Sequence, residues 1–187
     1  ARGAKQSPFY ERLAARGAYF RDVSGWEGAD YYAGPGAKPR DELTFGKPSW
    51  FPHWAAEHRA AREGVILMDM SFMSKFLVEG RDAGERLNWI SANNVDGEPG
   101  QITYTQWLDD AGKLQADLTV TKLGEDRYWV VASDTVQRNV HTQMRRAFEE
   151  HHAFAADVTG AWAQLNVQGP RSRELMQLVT STDMANE

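Results

Sequence analysis

Apolar and polar residues follow two different periods along this chain, and each period predicts its own kind of element. In "DAGERLNWISAN" (82–93) the positions Ala83, Leu87 and Ile90 recur every three to four residues, which predicts a helix capped by Asp82. In "DTVQRNVHTQMRRAFEEHH" (134–152) Val136, Val140, Met144 and Ala147 or Phe148 repeat in the same way. That helix is expected to end at His151-His152, which suit the negative end of its dipole. "FYERLAARG" (9–17), preceded by Ser7-Pro8, and "PHWAAEHRAAREG" (52–64), with Pro52 in its first turn, each stop at a glycine and read as helices. A short helix follows Gly169-Pro170. Strands are predicted at 18–23, 65–71, 75–80, 127–133 and 161–167. Residues 24–49 follow neither period and are rich in Gly, Pro and aromatics, so they read as a long irregular connector that marks a boundary.

"QITYTQWLDDAGKLQADLTV" (101–120) predicts a hairpin. On its second strand Leu114, Ala116, Leu118 and Val120 share one face, and Lys113, Gln115, Asp117, Thr119 and Thr121 share the other. Aspartate is a poor strand-interior residue, because its side chain competes for backbone hydrogen bonds. A two-residue loop at Asp110-Ala111, or a four-residue loop at 109–112, sets Tyr104 directly across from Asp117 with β-carbons ~5 Å apart. A three-residue loop separates them. A solvated outer face would tolerate this aspartate; a pocket over the same face would let it pair with a nitrogen-rich ring. Helices and strands mix without strict β-α-β alternation, which favours an α+β fold with a mostly antiparallel sheet and flanking helices.

Composition narrows the chemistry. The 187 residues suit one domain, or one domain with a smaller partner. The net charge is −5 and no basic run exceeds Arg145-Arg146, which argues against a nucleic-acid binder. With no cysteine there is no disulfide framework, thiolate metal site or cysteine nucleophile. His53 and His58 are five apart, off the spacing that puts two ligands on one helix face, and no metal is expected. No apolar run approaches the ~18 residues of a membrane span. Seven tryptophans serve a core, or wall a ring-shaped ligand. No G-x-S-x-G, phosphate loop or G-x-G-x-x-G occurs, so no Rossmann site for a flavin or nicotinamide is expected in this stretch. The chain opens Ala-Arg-Gly, and a processed chain or fragment is expected.

Three stretches together resemble the aminomethyltransferase (glycine-cleavage T protein) folate-binding fold. They are "GVILMDMSFMSKFLVEGRDA" (64–83), "YTQWLDDAGKLQADLTV" (104–120) and "AWAQLNVQGPRSRELMQLV" (161–179). The first resembles the family's Asp-x-Ser-x-Met and Gly-x-Asp-Ala pattern, and the last its strand followed by Gln-Gly-Pro. The upstream "YERLAARGAYFRDVSGWEGADYYAGPG" and "SWFPHWAAEHRAAREGV" resemble the segment before this fold in dimethylglycine and sarcosine dehydrogenases and oxidases. The resemblance implies a linker at 1–49 and the N-terminal part of an aminomethyltransferase-like folate domain at 50–187.

It also implies tetrahydrofolate as cofactor, with FAD only in an absent N-terminal half. The implied activity is capture of an iminium or formaldehyde unit as methylenetetrahydrofolate. Asp117 matches the aspartate beside the reactive pterin nitrogens, Tyr104 and Met73 match ring-lining residues, and Thr119 matches a pocket hydroxyl. Where relatives often have Asn after the strand matching "WVVAS", this chain has Asp134 nearby. An N-methylated amino acid reaching the flavin half is the implied substrate, with no nucleic acid or membrane partner. The compartment expected is the cytoplasm in a bacterium or the mitochondrial matrix in a eukaryote. A stand-alone aminomethyltransferase and a non-catalytic module of the same fold are the alternatives; the Trp-rich upstream segment argues against the stand-alone enzyme.

Overall fold

In a computed structural model, which describes residues 2–185, the chain runs through fourteen regular elements. They are α1 (Tyr10–Ala15), β1 (Ala18–Val23), β2 (Trp26–Tyr32), α2 (Phe51–Glu63), β3 (Ile66–Asp69), β4 (Ser74–Glu79), α3 (Ala83–Ile90), β5 (Ile102–Leu108), β6 (Leu114–Gly124), β7 (Arg127–Ala132), α4 (Gln137–Ala147), β8 (Phe154–Asp157), β9 (Leu165–Gln168) and α5 (Ser172–Gln177). One unit comprises the residues up to Ser71 and from Ala163 onward; the other comprises Phe72–Trp162. None of the described helices is long and apolar enough to cross a membrane.

The Phe72–Trp162 unit is built on an antiparallel sheet in the order β5-β6-β7-β4-β8, as the α+β reading expects. Period-two alternation turns Phe76, Val78, Trp107, Ala116, Leu118, Val120, Tyr128, Val130 and Ala132 to one face, all buried. The predicted helical stripes close over it: Ala83 and Leu87 from α3, Val140 and Met144 from α4, and Phe148 just beyond. Fully burying one such aliphatic or aromatic side chain contributes about 1.5–3 kcal/mol, so this double layer carries the unit's stability.

Several local expectations are corrected. Asp82 does sit at the start of α3, but its carboxylate makes no cap bond there. It accepts instead from the His152 N–H at 2.7 Å, a partner seventy residues away. α4 stops at Ala147, so His151 and His152 lie past the helix and not at its dipole end. β8 was not foreseen; its exposed Phe154 and Asp157 blur the alternation, and it exists because its backbone pairs with β4. The strand expected at 161–167 begins only at Leu165, after a one-turn helix at Thr159–Ala161.

In the other unit the supposed connector 24–49 contains a strand. Ser24 (φ 51°) and Gly25 (φ 87°) form a two-residue hairpin turn, and β2 folds back on β1 with Val23 opposite Trp26. Arg2 donates to Glu27 on β2 through Nη2 at 2.6 Å, and the Gly3 N–H adds a bond of 2.6 Å. These bonds hold the Glu27 carboxyl down at about 2, from an ordinary 4.5. An acid lowered in the folded state stabilises fully above its unfolded value and loses that contribution as pH falls toward the folded one. Acidification from about 4.5 to about 2 is therefore expected to loosen this hairpin. NMR shifts of the Gly25 and Gly28 amides will follow it, and Glu27→Gln will flatten the dependence.

The two-stranded ladder of β3 and β9 is closed by the Asp-x-Ser pattern. Asp69 accepts from the Ser71 hydroxyl at 2.6 Å and the Ser71 N–H at 3.1 Å, an Asx-type turn, and also from the Ser7 hydroxyl. Buried Ser71 in turn accepts from the Gln164 N–H at 3.1 Å, beside β9. Both motif residues thus fix backbone geometry in this unit.

Candidate functional site

The second face of the large sheet is the alternate set of residues left when the core positions turn inward. By register, one row runs Lys75, Val131, Thr119, Tyr104 across β4, β7, β6 and β5. Another runs Leu77, Trp129, Thr121, Ile102. Asp117 lies opposite Gln106.

Tyr104 and Asp117 therefore share a face, but they are not directly opposite; Tyr104 faces Thr119. The loop is longer than either expected form. Gly112 (φ 75°) donates its N–H to the Asp109 carbonyl at 2.8 Å, and the Asp109 N–H donates to the Lys113 carbonyl at 2.9 Å. The Asp109 carboxylate organises the turn by accepting from the Ala111 and Lys113 N–H groups at 3.0 and 2.8 Å. A bulge between Trp107 and Leu108 completes a shift of two residues in the pairing. An even shift keeps every side chain on its own face, so the predicted pair survives as a diagonal one. Diagonal β-carbons lie about 7–8 Å apart, within reach of a tyrosine. The Tyr104 hydroxyl donates to Asp117 Oδ2 at 3.1 Å.

Among the described residues the Asp117 carboxylate has no other hydrogen-bond partner and no ion pair, so its second oxygen remains available to a ligand. Both groups are exposed, Tyr104 at 57%, and Thr119 is half-buried between them and the centre of the sheet. Recesses of about 660 Å³ beside α4 (His141, Arg145, Phe148) and about 690 Å³ among Phe9, Arg12, Asp69 and Leu165 are lined by other residues. The Asp117 face is thus an open platform of carboxylate, phenol, hydroxyl and amide.

Met73 is placed less directly. It precedes Ser74, the first paired residue of β4, and is half-buried. Ser74 shares a row with Leu118, so Met73 and Asp117 lie at the same end of strands separated by β7, about 10 Å at ordinary strand spacing. The structure brings Tyr104, Asp117 and Thr119 together; Met73 borders them across one strand.

Two features of this face were not foreseen. Trp129 packs edge-on against Trp162 with ring centroids 5.4 Å apart, giving the face an aromatic end. Lys75 is buried at 2% exposure. Alternation alone assigns both to this face, but lysine on a strand ordinarily reads as solvated. Behind the sheet, Asp96 accepts from Lys122 at 2.7 Å and from the Tyr128 hydroxyl. Those bonds, Lys122 first, hold Asp96 below the usual carboxylate range, while burial first and then Asp96 push the Tyr128 phenol up. That cluster ties the buried Tyr128 to exposed Asp96 and half-buried Lys122 at the rim of the core.

Comparison with known proteins bears on the family and the fold. The chain is 38% identical over 186 residues to the 4-methylaminobutanoate oxidase (formaldehyde-forming) of Paenarthrobacter nicotinovorans, covering 100% of this chain and 23% of that protein. It is 25% identical over 225 residues to the mitochondrial sarcosine dehydrogenase of Homo sapiens, covering 100% of this chain and 24% of that one. It is 26% identical over 189 residues to the mitochondrial pyruvate dehydrogenase phosphatase regulatory subunit of Mus musculus, covering 98% and 22%. The chain thus spans less than a quarter of each of these relatives. The crystal structure of the glycine cleavage system aminomethyltransferase T from Bartonella henselae superposes with a TM-score of 0.76 at 22% identity, over 92% of this chain and 43% of that one. That likeness establishes the aminomethyltransferase fold, in part. A profile of the GCVT N-terminal domain matches residues 9–187, and the chain belongs to that family.

Proposed function

We propose that this chain is the tetrahydrofolate-binding, one-carbon-accepting region of a flavin-dependent enzyme that oxidises N-methylated amino acids. Residues 1–49 are its connecting segment toward the flavin half. The observation that carries the reading is the 3.1 Å bond from Tyr104 to Asp117 on an open sheet face, at the positions where the resemblance puts pterin contacts. The donor set fits the ligand: a carboxylate oxygen for ring nitrogens, a phenol ring for stacking, and the Thr119 and Gln106 side chains for the remaining polar edge. Folate supplies the nucleophilic nitrogen that accepts the carbon unit.

The chain's own residues do the rest. Asp117 fixes a negative charge where positive charge develops, and this counts for more once ligand and covering protein exclude water. It is also placed to take up a proton released from nitrogen. Tyr104 holds Oδ2, so the carboxylate presents Oδ1 in a set direction. The oxidase relative, named for forming formaldehyde, supports a released one-carbon unit as the thing captured.

Isothermal titration of the intact protein with tetrahydrofolate tests this. Micromolar or tighter binding that weakens at least tenfold in Asp117→Asn is expected; no binding by the unaltered protein would overturn it. Tyr104→Phe is expected to weaken binding by about 3- to 10-fold, the net worth of one exposed hydrogen bond with the stacking surface retained. A second reading, a module of this fold without catalysis, has support in the regulatory-subunit relative. It predicts no one-carbon capture, and tetrahydrofolate binding that is absent or indifferent to Asp117→Asn.

A further inference from the structure

We propose that Lys75 is a positioning residue of the one-carbon site, acting through Met73; this rests on the folate reading above. Lys75 is the second residue of β4, and its side chain is among the largest that are fully buried in the chain. Taking a lysine out of water is costly, and a methionine of similar length would fill the same space with no donor to satisfy. A buried lysine therefore calls for a partner that a methionine could not serve. Here Nζ donates to the main-chain carbonyl of Met73 at 2.6 Å.

Met73 lies just before the first paired residue of β4, outside the ladder itself. Lys75 is held within it. Its N–H donates to Thr159 Oγ1 at 3.0 Å, and its carbonyl accepts from the Val158 N–H at 2.9 Å. It is also paired with Val131 on β7. The side chain thus carries the position of a rigid strand back to the turn that precedes it. It does so on the face, and in the row, that contain Thr119 and Tyr104. With Met73 against the ligand, its placement matters to both binding and transfer; a misplacement of ~1 Å can cost ~100-fold in the chemical step.

The test is a double-mutant cycle on tetrahydrofolate binding by the intact protein, with Lys75→Met, Met73→Ala and both together, alongside thermal unfolding. Expected results are a loss of about 10-fold or more in Lys75→Met with a melting temperature close to the parent's, and a double variant no weaker than the weaker single. Parent-like binding by Lys75→Met, or penalties that multiply, would overturn the proposal while leaving the folate reading standing. Absence of binding by the parent would overturn both. Should Lys75→Met not fold, Lys75→Gln, whose shorter arm misses the carbonyl, takes its place in the cycle, with the same loss expected and the same two outcomes overturning the proposal.

Discussion

Asp117→Ala is expected to leave the fold intact and to slow folate-dependent turnover of the intact enzyme by about 10- to 1000-fold, the range for a lost electrostatic group. The two halves of this expectation have separate grounds. Asp117 is exposed on the face opposite the core, and among the described residues its carboxylate is hydrogen-bonded only to Tyr104, which is itself exposed. Its removal opens no cavity and orphans no buried group, so stability should change by no more than about 0.5 kcal/mol. Chemistry is another matter, because the charge faces the place where a cation forms. Asp117→Asn separates charge from geometry: it can still accept from Tyr104 yet carries no charge, and should be nearly as slow as Asp117→Ala. Rapid-quench measurement of one-carbon transfer, with flavin reduction followed in parallel, reads this step alone. Turnover equal to the parent's in both variants would remove Asp117 from the chemistry.

Gly80→Ala should have the largest effect on stability, a loss of about 3 kcal/mol or more. Gly80 has φ 134°, a conformation that side chains rarely adopt. A β-carbon there would stand 2.1 Å from the His152 carbonyl oxygen and 3.0 Å from the Ala153 Cα. Backbone atoms cannot rotate aside as a side chain can. The crowding exists because the turn clasps the chain at residue 152: the Asp82 N–H donates to the His152 carbonyl at 3.1 Å, and the Asp82 carboxylate accepts the His152 N–H at 2.7 Å. The Gly-x-Asp-Ala pattern is therefore a clamp between the start of α3 and the segment leading into β8. Urea denaturation of the intact protein checks this, with Asp82→Ala as a milder companion that loses the carboxylate bond but not the space. A Gly80→Ala midpoint within experimental error of the parent's would show that the clasp yields.

Element type and side-chain face were legible from the residues, because both follow from period. Stripes at three to four residues became α3 and α4, and alternation correctly put Asp117, Thr119 and Tyr104 on one face. β2 was missed although its turn signal, Ser24-Gly25, was present; its mix of charged, glycine and aromatic residues looked irregular without the partner strand. β8 was missed because four residues carry too little period to recognise. Motifs were legible as likeness but not as mechanism. Asp69 and Ser71 looked like parts of a signature, and their hydrogen bonds make them a turn.

The amino-acid order by itself determined which residues could share a surface, since an odd slip in pairing would have exposed the entire core and only even ones were open to it. Which even register was taken, and so whether Tyr104 meets Asp117 head-on or diagonally, depended on the Asp109 turn bonds and the bulge at Trp107. Those are hydrogen-bonding choices made when the strands meet. The same holds for Asp82, which gave up its own helix cap for His152, and for Lys75, whose burial depends on what packs around it. Period is a property of neighbours along the chain; register, burial and long-range partners are properties of neighbours in space.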